Sequence, residues 1–561
     1  MLVRLLMLAV FLSVSLATEM AETAPYAKFQ LSESHLAATK RHRRIILNFD
    51  VISGDRRFGG RDPKELVQWK FHAIDQADVQ IDSVWWCWGE GNQAPWASKT
   101  MVLYDAAGYR KWVRDGVDIV KVFFDAAKER GIESFFNFRI NGSDNDLGPF
   151  RSLERKIQNP QWLIRVPWRG PVGLWNYGIP EVRAFRLEIL REIAERYDHN
   201  GISLDFARSC PVLPPGRQWE LRDAMTDFMR KFRTMTQEVA RRRGHPLLVG
   251  ARIPASIEGC HYDGLDIETW VGEGLVDVLA LGVRSFAIDV DAFRRLTAGT
   301  HIKLYPSIDD HHASDGYATP PIEIYRGVAS NWWRQGVDGV QTFNFNHAPD
   351  FPYRKTWTTH LLAFRELGSP ATLRHKNKIF VVQRRGGGHG QSVIPNPENW
   401  HTPRHMYINT NLLAALPETL DGSGKGDTML TLAVGDDVTT DSARVENIAL
   451  HVLVTDPAIK SQRQSPRLPA VVVATIGHAE DGLKNRPACT SIASELEARL
   501  NNVQLPSPRL DDGWIVFDPI NPRLLAVGNN LVGLRYSGPP RAPQDQILIE
   551  KLELHVNYRE R

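Results

Sequence analysis

Between residue 45 and about residue 365, short apolar runs alternate with stretches whose apolar residues recur every three or four positions. Eight of the runs predict strands: Ile45–Val51, Val79–Cys87, Ile132–Asn141, Gly201–Ala207, Leu247–Ile253, Leu275–Val283, Ile302–Ile308 and Val337–Asn346. Each is apolar almost without interruption, the pattern of strands covered on both faces. The stretches between them predict helices. Pro180 opens one, and Val182, Phe185, Ile189, Ile193 and Tyr197 form its apolar stripe. Trp112, Gly116, Ile119, Phe123 and Ala127 mark another that closes at Gly131, and Trp219–Arg243, Asp291–Ala298, Ile322–Gln335 and Thr356–Leu367 predict more. Eight βα units in this length predict an α/β fold of the (β/α)8 TIM-barrel class. A doubly wound open sheet has less support, because no GxGxxG follows the first strand.

Beyond about residue 370 the period shortens to two. Runs at Ile379–Gln383, Met429–Val434, Ile448–Val454, Ala470–Thr475, Gly513–Phe517, Leu531–Tyr536 and Ile547–Tyr558 are separated by Gly, Pro, Asn and Asp. That pattern predicts an all-β, sandwich-like C-terminal domain, with one helical stretch at Cys489–Leu500. Arg384–Gly390, with three successive glycines, reads as a loop; no Lys-Ser/Thr follows, so it does not fit a phosphate cradle. The expected division is a leader at 1–17, an N-terminal segment at 18–44, a barrel at 45–368 and a β-sandwich at 369–561.

Composition narrows the function classes. With 43% hydrophobic and 24% charged residues, the chain is neither disordered, collagen-like nor a polytopic membrane protein. Lys plus Arg (68) against Asp plus Glu (65) leaves +3, spread without a dense basic block, so nucleic acid is not an expected partner. Sixteen Trp residues suit a large core or a sugar-binding cleft, with core the default for most. Arg4, the apolar run Leu5–Leu16 and the small residues Ser15 and Ala17 read as a secretory signal cleaved before Thr18. The protein is then expected to be secreted or periplasmic, with no stable membrane insertion after cleavage; an uncleaved anchor is the alternative. Cys87, Cys210, Cys260 and Cys489 form no CxxC pair, and one disulfide is permitted but not required.

In such a barrel, catalytic groups sit at the C-terminal strand ends. Read in order, those ends offer Asp50; then Trp86, Trp88 and Glu90; Arg139 and Asn141; Asp205 and Arg208; Arg252 and Glu258; Arg284; Asp309 and Asp310; and finally Asn344 and Asn346. Asp205 leads, because it ends the apolar run Gly201–Leu204 and is lifted onto the rim. Arg208 lies three residues on, close enough to orient the carboxylate or hold it charged, although an Asp–Arg pair can equally tie a loop. A carboxylate on a rim rich in Trp and Asn suggests glycoside hydrolysis, which needs a second carboxyl group. The candidates are Glu258, Asp309, Asp310 and Glu90; Asp309 lies just past strand seven and Glu258 follows strand five, which adjoins strand four, and the sequence does not choose among them. Trp86 and Trp88 share a face and could offer a sugar platform. Asn141, Asn344 and Asn346, with Arg139, Arg252 and Arg284, would bind hydroxyls or an anionic sugar. The Asp309–His312 cluster could hold a metal, but the first strand carries no His-x-His and no HExxH occurs. No Gly-x-Ser-x-Gly supports a serine nucleophile.

The segment Trp175–Arg183, continuing through Glu192–Asp198 into Gly201–Arg208, resembles the bacterial glycoside-hydrolase-like family 10 barrels, where a PEVR helix start leads to an Asp and Arg on strand four. Gly264–Trp270 and Gly274–Asp277 are similar to the same group. The resemblance spans roughly residues 40–365 and implies a TIM barrel with Asp205 and Arg208 at the active-site rim. More distantly it resembles α-amylase-like barrels, whose strand-four aspartate is a nucleophile. Asn200 stands where that group has Asp, and the proline after the Arg is displaced to Pro211. Leu524–Leu534 resembles β-sandwich modules appended to such enzymes. The expectation is an exported glycosidase needing no cofactor and acting on a carbohydrate. A non-catalytic carbohydrate-binding barrel and a metal-dependent hydrolase or deacetylase are the rivals; oligomeric state is left open.

Overall fold

Eight parallel strands close on themselves in the order β1-β8-β7-β6-β5-β4-β3-β2. They are β1 (Ile45–Asp50), β2 (Ile81–Cys87), β3 (Glu133–Arg139), β4 (Gly201–Asp205), β5 (Leu248–Ile253), β6 (Val278–Leu281), β7 (Lys303–Asp309) and β8 (Val340–Phe343). The structure, a computed structural model, describes residues 28–51, 55–89, 91–104, 106–142, 154–165, 173–208, 210–282, 285–309, 311–312, 317–318, 320–351, 356–384, 412–456 and 492–559, with backbone alone at 55–56, 311–312 and 318. The leader at 1–17, part of the 18–44 segment, the Gly386–Gly388 loop, the run Ala470–Thr475 and Cys489 lie outside the described residues. Every expected barrel strand forms, most of them shorter than the apolar run that predicts them, while β7 runs one residue further, to Asp309.

The helices follow the sequence signals closely. Pro180–Arg196 starts on its proline and buries Val182, Phe185, Ile189 and Ile193 against the barrel. Arg222–Arg243 ends on Gly244 in the left-handed region. The single helix expected across Trp112–Gly131 is instead two, Ala107–Arg114 and Ile119–Glu129. Gly116 at φ 76° breaks it, and Asp118 caps the second by accepting from the Lys121 N–H. Among the described residues no helix is long and apolar enough to cross a membrane.

At the N-terminal end of the barrel, buried ion pairs fasten the chain entering β1. Arg43 forms a two-pronged bond to Glu133, both at 2.6 Å. Asp277 accepts from Arg233, His301 and His35, the last carried by the helix Glu33–Thr39 that precedes the barrel. Two clefts of about 440 and 560 Å³ open at this end, between Phe124, Ile132 and Leu248 and beside Gln237 and Arg241.

The C-terminal region is two antiparallel sheets sharing one apolar core. The first orders β9 (Lys378–Val381), β15 (Leu548–Tyr558), β11 (Val445–Thr455) and β13 (Trp514–Phe517). The second orders β10 (Thr428–Val434), β14 (Gly528–Tyr536) and β12 (Leu496–Leu500). β12 corrects the helix expected at Cys489–Leu500. Leu496, Ala498 and Leu500 point into the core while Glu497 is exposed, a period of two that matches pairing with β14. β9 joins the two domains: Phe380 packs into the sandwich, while Ile379 packs on the barrel core. Gly327 in the helix Ile322–Arg334 allows this, since a Cβ there would strike the Ile379 carbonyl. Asp436 adds a polar tie, receiving Ser330, Lys378 and Tyr558.

Candidate active site

Register decides which side chains meet inside the ring. Parallel pairing sets Asp50 beside Cys87, Cys87 beside Asn137, Arg139 beside Asp205, Asp205 beside Arg252, and Asp309 beside Phe343. Residues paired this way face the same side, and here that side is the lumen. Two residues earlier on the same strands, and so deeper in the lumen, stand Asn48, Asn137, Ser203, Gly250, Ser307, Gln341 and the Trp85 indole. That ring stacks on Phe135 at 5.0 Å and leaves only 3.1 Å to a Cβ built on Gly250. The lumen is thus plugged by Trp85, and the charged groups form the layer above the plug.

Asp205 is fully buried at the C-terminal end of β4. Its Oδ1 accepts from the backbone N–H groups of Ala207 and Arg208, each at 3.1 Å, and its Oδ2 lies 3.4 Å from Arg252 Nη1. The guanidinium paired with this carboxylate is Arg252, while Arg208, the cation expected from the sequence, orients it through its backbone N–H. The reason is register: Arg252 is the direct neighbour across the β4–β5 pair, while Arg208 has passed beyond the strand end. The Arg252 guanidinium also covers the Phe343 ring at 3.9 Å, so it reaches from β5 across to β8. Phe343 adjoins Asp309, which is buried at the end of β7. Asp309 also lies near Tyr325, whose hydroxyl is driven well above its usual pKa, first by burial and then by that carboxylate.

Asp50 forms a second charged group. Arg139 Nη2 bonds both of its oxygens, at 2.7 and 2.9 Å. Burial alone would push this carboxyl upward, but Arg139, Arg208 and Lys70 outweigh it and hold the acid below its ordinary range. Asp50 is consequently a fixed anion, suited to orienting cations and not to donating a proton. Lys70, from the helix Pro63–Lys70, donates to the Asp50 carbonyl at 2.5 Å. Burial drives its amine well below the normal lysine range, against the opposing pull of Asp50.

Other expected site residues are placed elsewhere. Trp86 and Trp88 do share a face, but it is the outer one. Their indoles are buried against Phe123, and Trp86 also against Phe71, so neither is a sugar platform. Asn141 is consumed by backbone, donating to Trp175 and Pro211 carbonyls and accepting from the Trp175 N–H. Asn346 donates to Thr356, outside the lumen. Asn344 ends β8 at φ 55°, a left-handed conformation that asparagine tolerates better than most residues, and its N–H donates to the Asn48 carbonyl. Glu258 is exposed on the short helix Ile257–Asp263 and accepts from Tyr262 at 3.0 Å. Glu90, Arg284 and Asp310 lie outside the described residues. Among the described residues no group of three or more His, Cys, Asp or Glu is arranged to hold a metal.

Arg186 was not singled out in the sequence, yet it organises this rim. It is fully buried, and its donors go to neutral acceptors: the carbonyls of Gly91, Arg139 and Ile140, the Tyr177 hydroxyl and the Asn92 amide oxygen. It thus ties the loop after β2 to the end of β3. Gly91, at φ 73°, makes room for it, since a Cβ there would sit 2.6 Å from both the Arg186 guanidinium and the Arg139 carbonyl. The available signal was a charged residue within the apolar stripe of its helix, next to Phe185.

No family model matches the chain, and no curated protein matches it. Solved structures with similar folds include the α-L-fucosidase isoenzyme 2 of Paenibacillus thiaminolyticus, at 15% identity and TM-score 0.36 over 58% of this chain and 48% of that one. The match therefore spans about half of the fucosidase's length. The PgaB (BpsB) glycoside hydrolase domain of Bordetella bronchiseptica matches at 12% identity and TM-score 0.38, over 59% of this chain and 99% of its own. The noncanonic maltogenic α-amylase AmyB of Thermotoga neapolitana matches at 12% identity and TM-score 0.35, over 73% and 91%. The barrel is assigned from its own strand order and register, independently of these likenesses.

Proposed function

We propose that this protein is an exported glycoside hydrolase that cleaves an oligo- or polysaccharide at the C-terminal mouth of its barrel. The observation that supports the reading is Asp205, a buried carboxylate at the C-terminal end of β4 fixed by two backbone N–H groups and Arg252, with a second buried acid, Asp309, at the C-terminal end of β7. Hydrolysis of a glycosidic bond needs one carboxyl group to protonate the leaving oxygen and one carboxylate to attack the anomeric carbon or activate water. Asp205, with both oxygens oriented, takes the nucleophile or base role; Asp309, walled by Phe343 and near Tyr325, takes the acid role. Asp50 stays charged and holds Arg139 in place beside them. Asn344 stands at the same end as a hydroxyl-binding group.

Asp205→Asn and Asp309→Asn should each lower the release of reducing ends from a glycan panel by at least about 100-fold, the scale expected of a general acid or base. Unchanged activity in a correctly folded Asp205→Asn protein refutes the assignment. Binding of glycan by the wild type with no product in long incubations selects a non-catalytic carbohydrate-binding barrel instead. Loss of activity with a chelator and its return with zinc selects metal-dependent hydrolysis.

A further inference from the structure

The tryptophans expected to line the sugar cleft are packed into the core, but a different one is not. Trp219 is the most exposed tryptophan among the described residues, with 40% of its surface open. It stands in the connection between β4 and the helix Arg222–Arg243. Its ring lies 4.1 Å from that of His261, tilted by 41°, and the Arg222 guanidinium lies over it at 4.7 Å. His261 belongs to the helix Ile257–Asp263 that follows β5. Both connections leave the C-terminal ends of their strands, so the ring pair stands at the end of the barrel that carries Asp205 and Arg252.

Single exposed apolar side chains are ordinary, but this one is held in place. Helix Ile257–Asp263 ends on Gly264 at φ 73°, and a Cβ there would strike the Gln218 carbonyl and come within 2.7 Å of Leu213. The loop bearing Trp219 is therefore seated directly on that turn. Further back it is tied to the rim, where Val212 accepts from the Tyr177 N–H and Pro211 from Asn141. Around the rings are groups that can exchange hydrogen bonds with hydroxyls: His261 bonded to Glu268 at 2.8 Å, and Tyr262 bonded to Glu258 at 3.0 Å. The open 40% of the indole, set among a guanidinium, an imidazole and carboxylates, matches a pyranose, which has an apolar C–H face and a polar edge. Because the loop is already ordered, binding there loses little conformational entropy.

We propose that Trp219 and His261 form an outer subsite that receives a sugar unit of the substrate next to the reactive centre. This rests on the glycosidase reading above, and it makes the substrate at least an oligosaccharide rather than a single glycoside. Glu258 then belongs to this outer subsite and not to the acid pair. The test compares the wild-type full chain with Trp219→Ala and Trp219→Phe on oligosaccharides of increasing length drawn from whichever glycan the wild type cleaves. Trp219→Ala should raise KM for the longest members roughly three- to tenfold, the scale of one aromatic contact, with kcat nearly unchanged and the shortest substrate unaffected. Trp219→Phe should recover part of the loss. Equal KM at every length, or a fall in kcat that is the same for short and long substrates, overturns the subsite. Electrophoresis through gels containing soluble polysaccharides separates this from the parent reading. Retardation of the wild type but not of Trp219→Ala, without any cleavage, upholds the subsite and removes the hydrolase; no retardation and no cleavage of any glycan overturns both.

Discussion

Asp277→Asn should destabilise the barrel by about 3–5 kcal/mol at pH 7, the cost of stranding a buried partner of an ion pair. The Asp277 carboxylate is fully buried and accepts five hydrogen bonds: Arg233 at 2.9 and 2.8 Å, His35 at 3.0 Å, His301 at 2.9 Å and the Val249 N–H at 2.7 Å. Oδ1 takes His35, His301 and one Arg233 nitrogen; Oδ2 takes the other nitrogen and Val249. In either orientation an asparagine amide would point its own hydrogens at donors, and Arg233 would remain buried without a counter-charge. Burial pushes this carboxyl upward, but Arg233, His301 and His35 more than reverse it, leaving the acid well below its usual range. A folded-state value below the unfolded one, which is about 3.9, gives stability that is complete above that pH and drains away as pH falls through the folded value. The gap between wild type and Asp277→Asn should therefore be constant from neutral pH down to about 5 and shrink below about 4. Equilibrium urea unfolding, followed by tryptophan fluorescence and circular dichroism at a series of pH values, measures it. A second comparison sharpens it: Arg233→Met with Asp277→Leu should cost less than Asp277→Asn alone, since no charge is left behind. A loss under about 1 kcal/mol, or a gap that does not close on acidification, would show that the pair is worth no more than a surface salt bridge.

His199 is buried with neither ring nitrogen in a hydrogen bond of good geometry; burial, with Arg243 adding to it, holds its pKa down to about 3. Since the unfolded value is about 6.5, protonation favours unfolding, so stability should fall by up to about 1.4 kcal/mol per pH unit as pH drops below that value. His199→Phe should flatten this slope in denaturant titrations between pH 7 and 4, and an unchanged slope would exclude the imidazole as its source. Gly91→Ala should displace Arg186 and strain the backbone, costing more than about 1 kcal/mol by denaturant titration and lowering any glycan-cleaving activity in parallel. A neutral result there would mean that the loop after β2 can move freely without Arg186.

Much of this architecture was legible from the residues alone, for identifiable reasons. The eight strands were visible because strands covered on both faces must be apolar throughout, and Pro180 and Gly244 punctuate their helices through backbone constraints that no neighbour needs to supply. The helix expected across Trp112–Gly131 failed at Gly116 and Asp118, a break and a cap inside an apolar stripe that continues past both. The stretch Cys489–Leu500 was misread because a short run of Leu, Ala and Glu fits both periods, and pairing with β14 selected the strand.

The sequence by itself determined the barrel class, the order of its units and the position of Asp205 and Asp309 at strand ends, because these depend on local periodicity and on where apolar runs stop. Tertiary structure alone decided which neighbours those acids have. A strand that is apolar on both faces does not reveal which parity points inward, so Trp86 and Trp88 could share a face and still be sealed against Phe123 outside the ring. The register between β4 and β5 placed Arg252, forty-seven residues away, against Asp205. Such pairings arise from the closure of the ring, which no segment of the chain encodes separately.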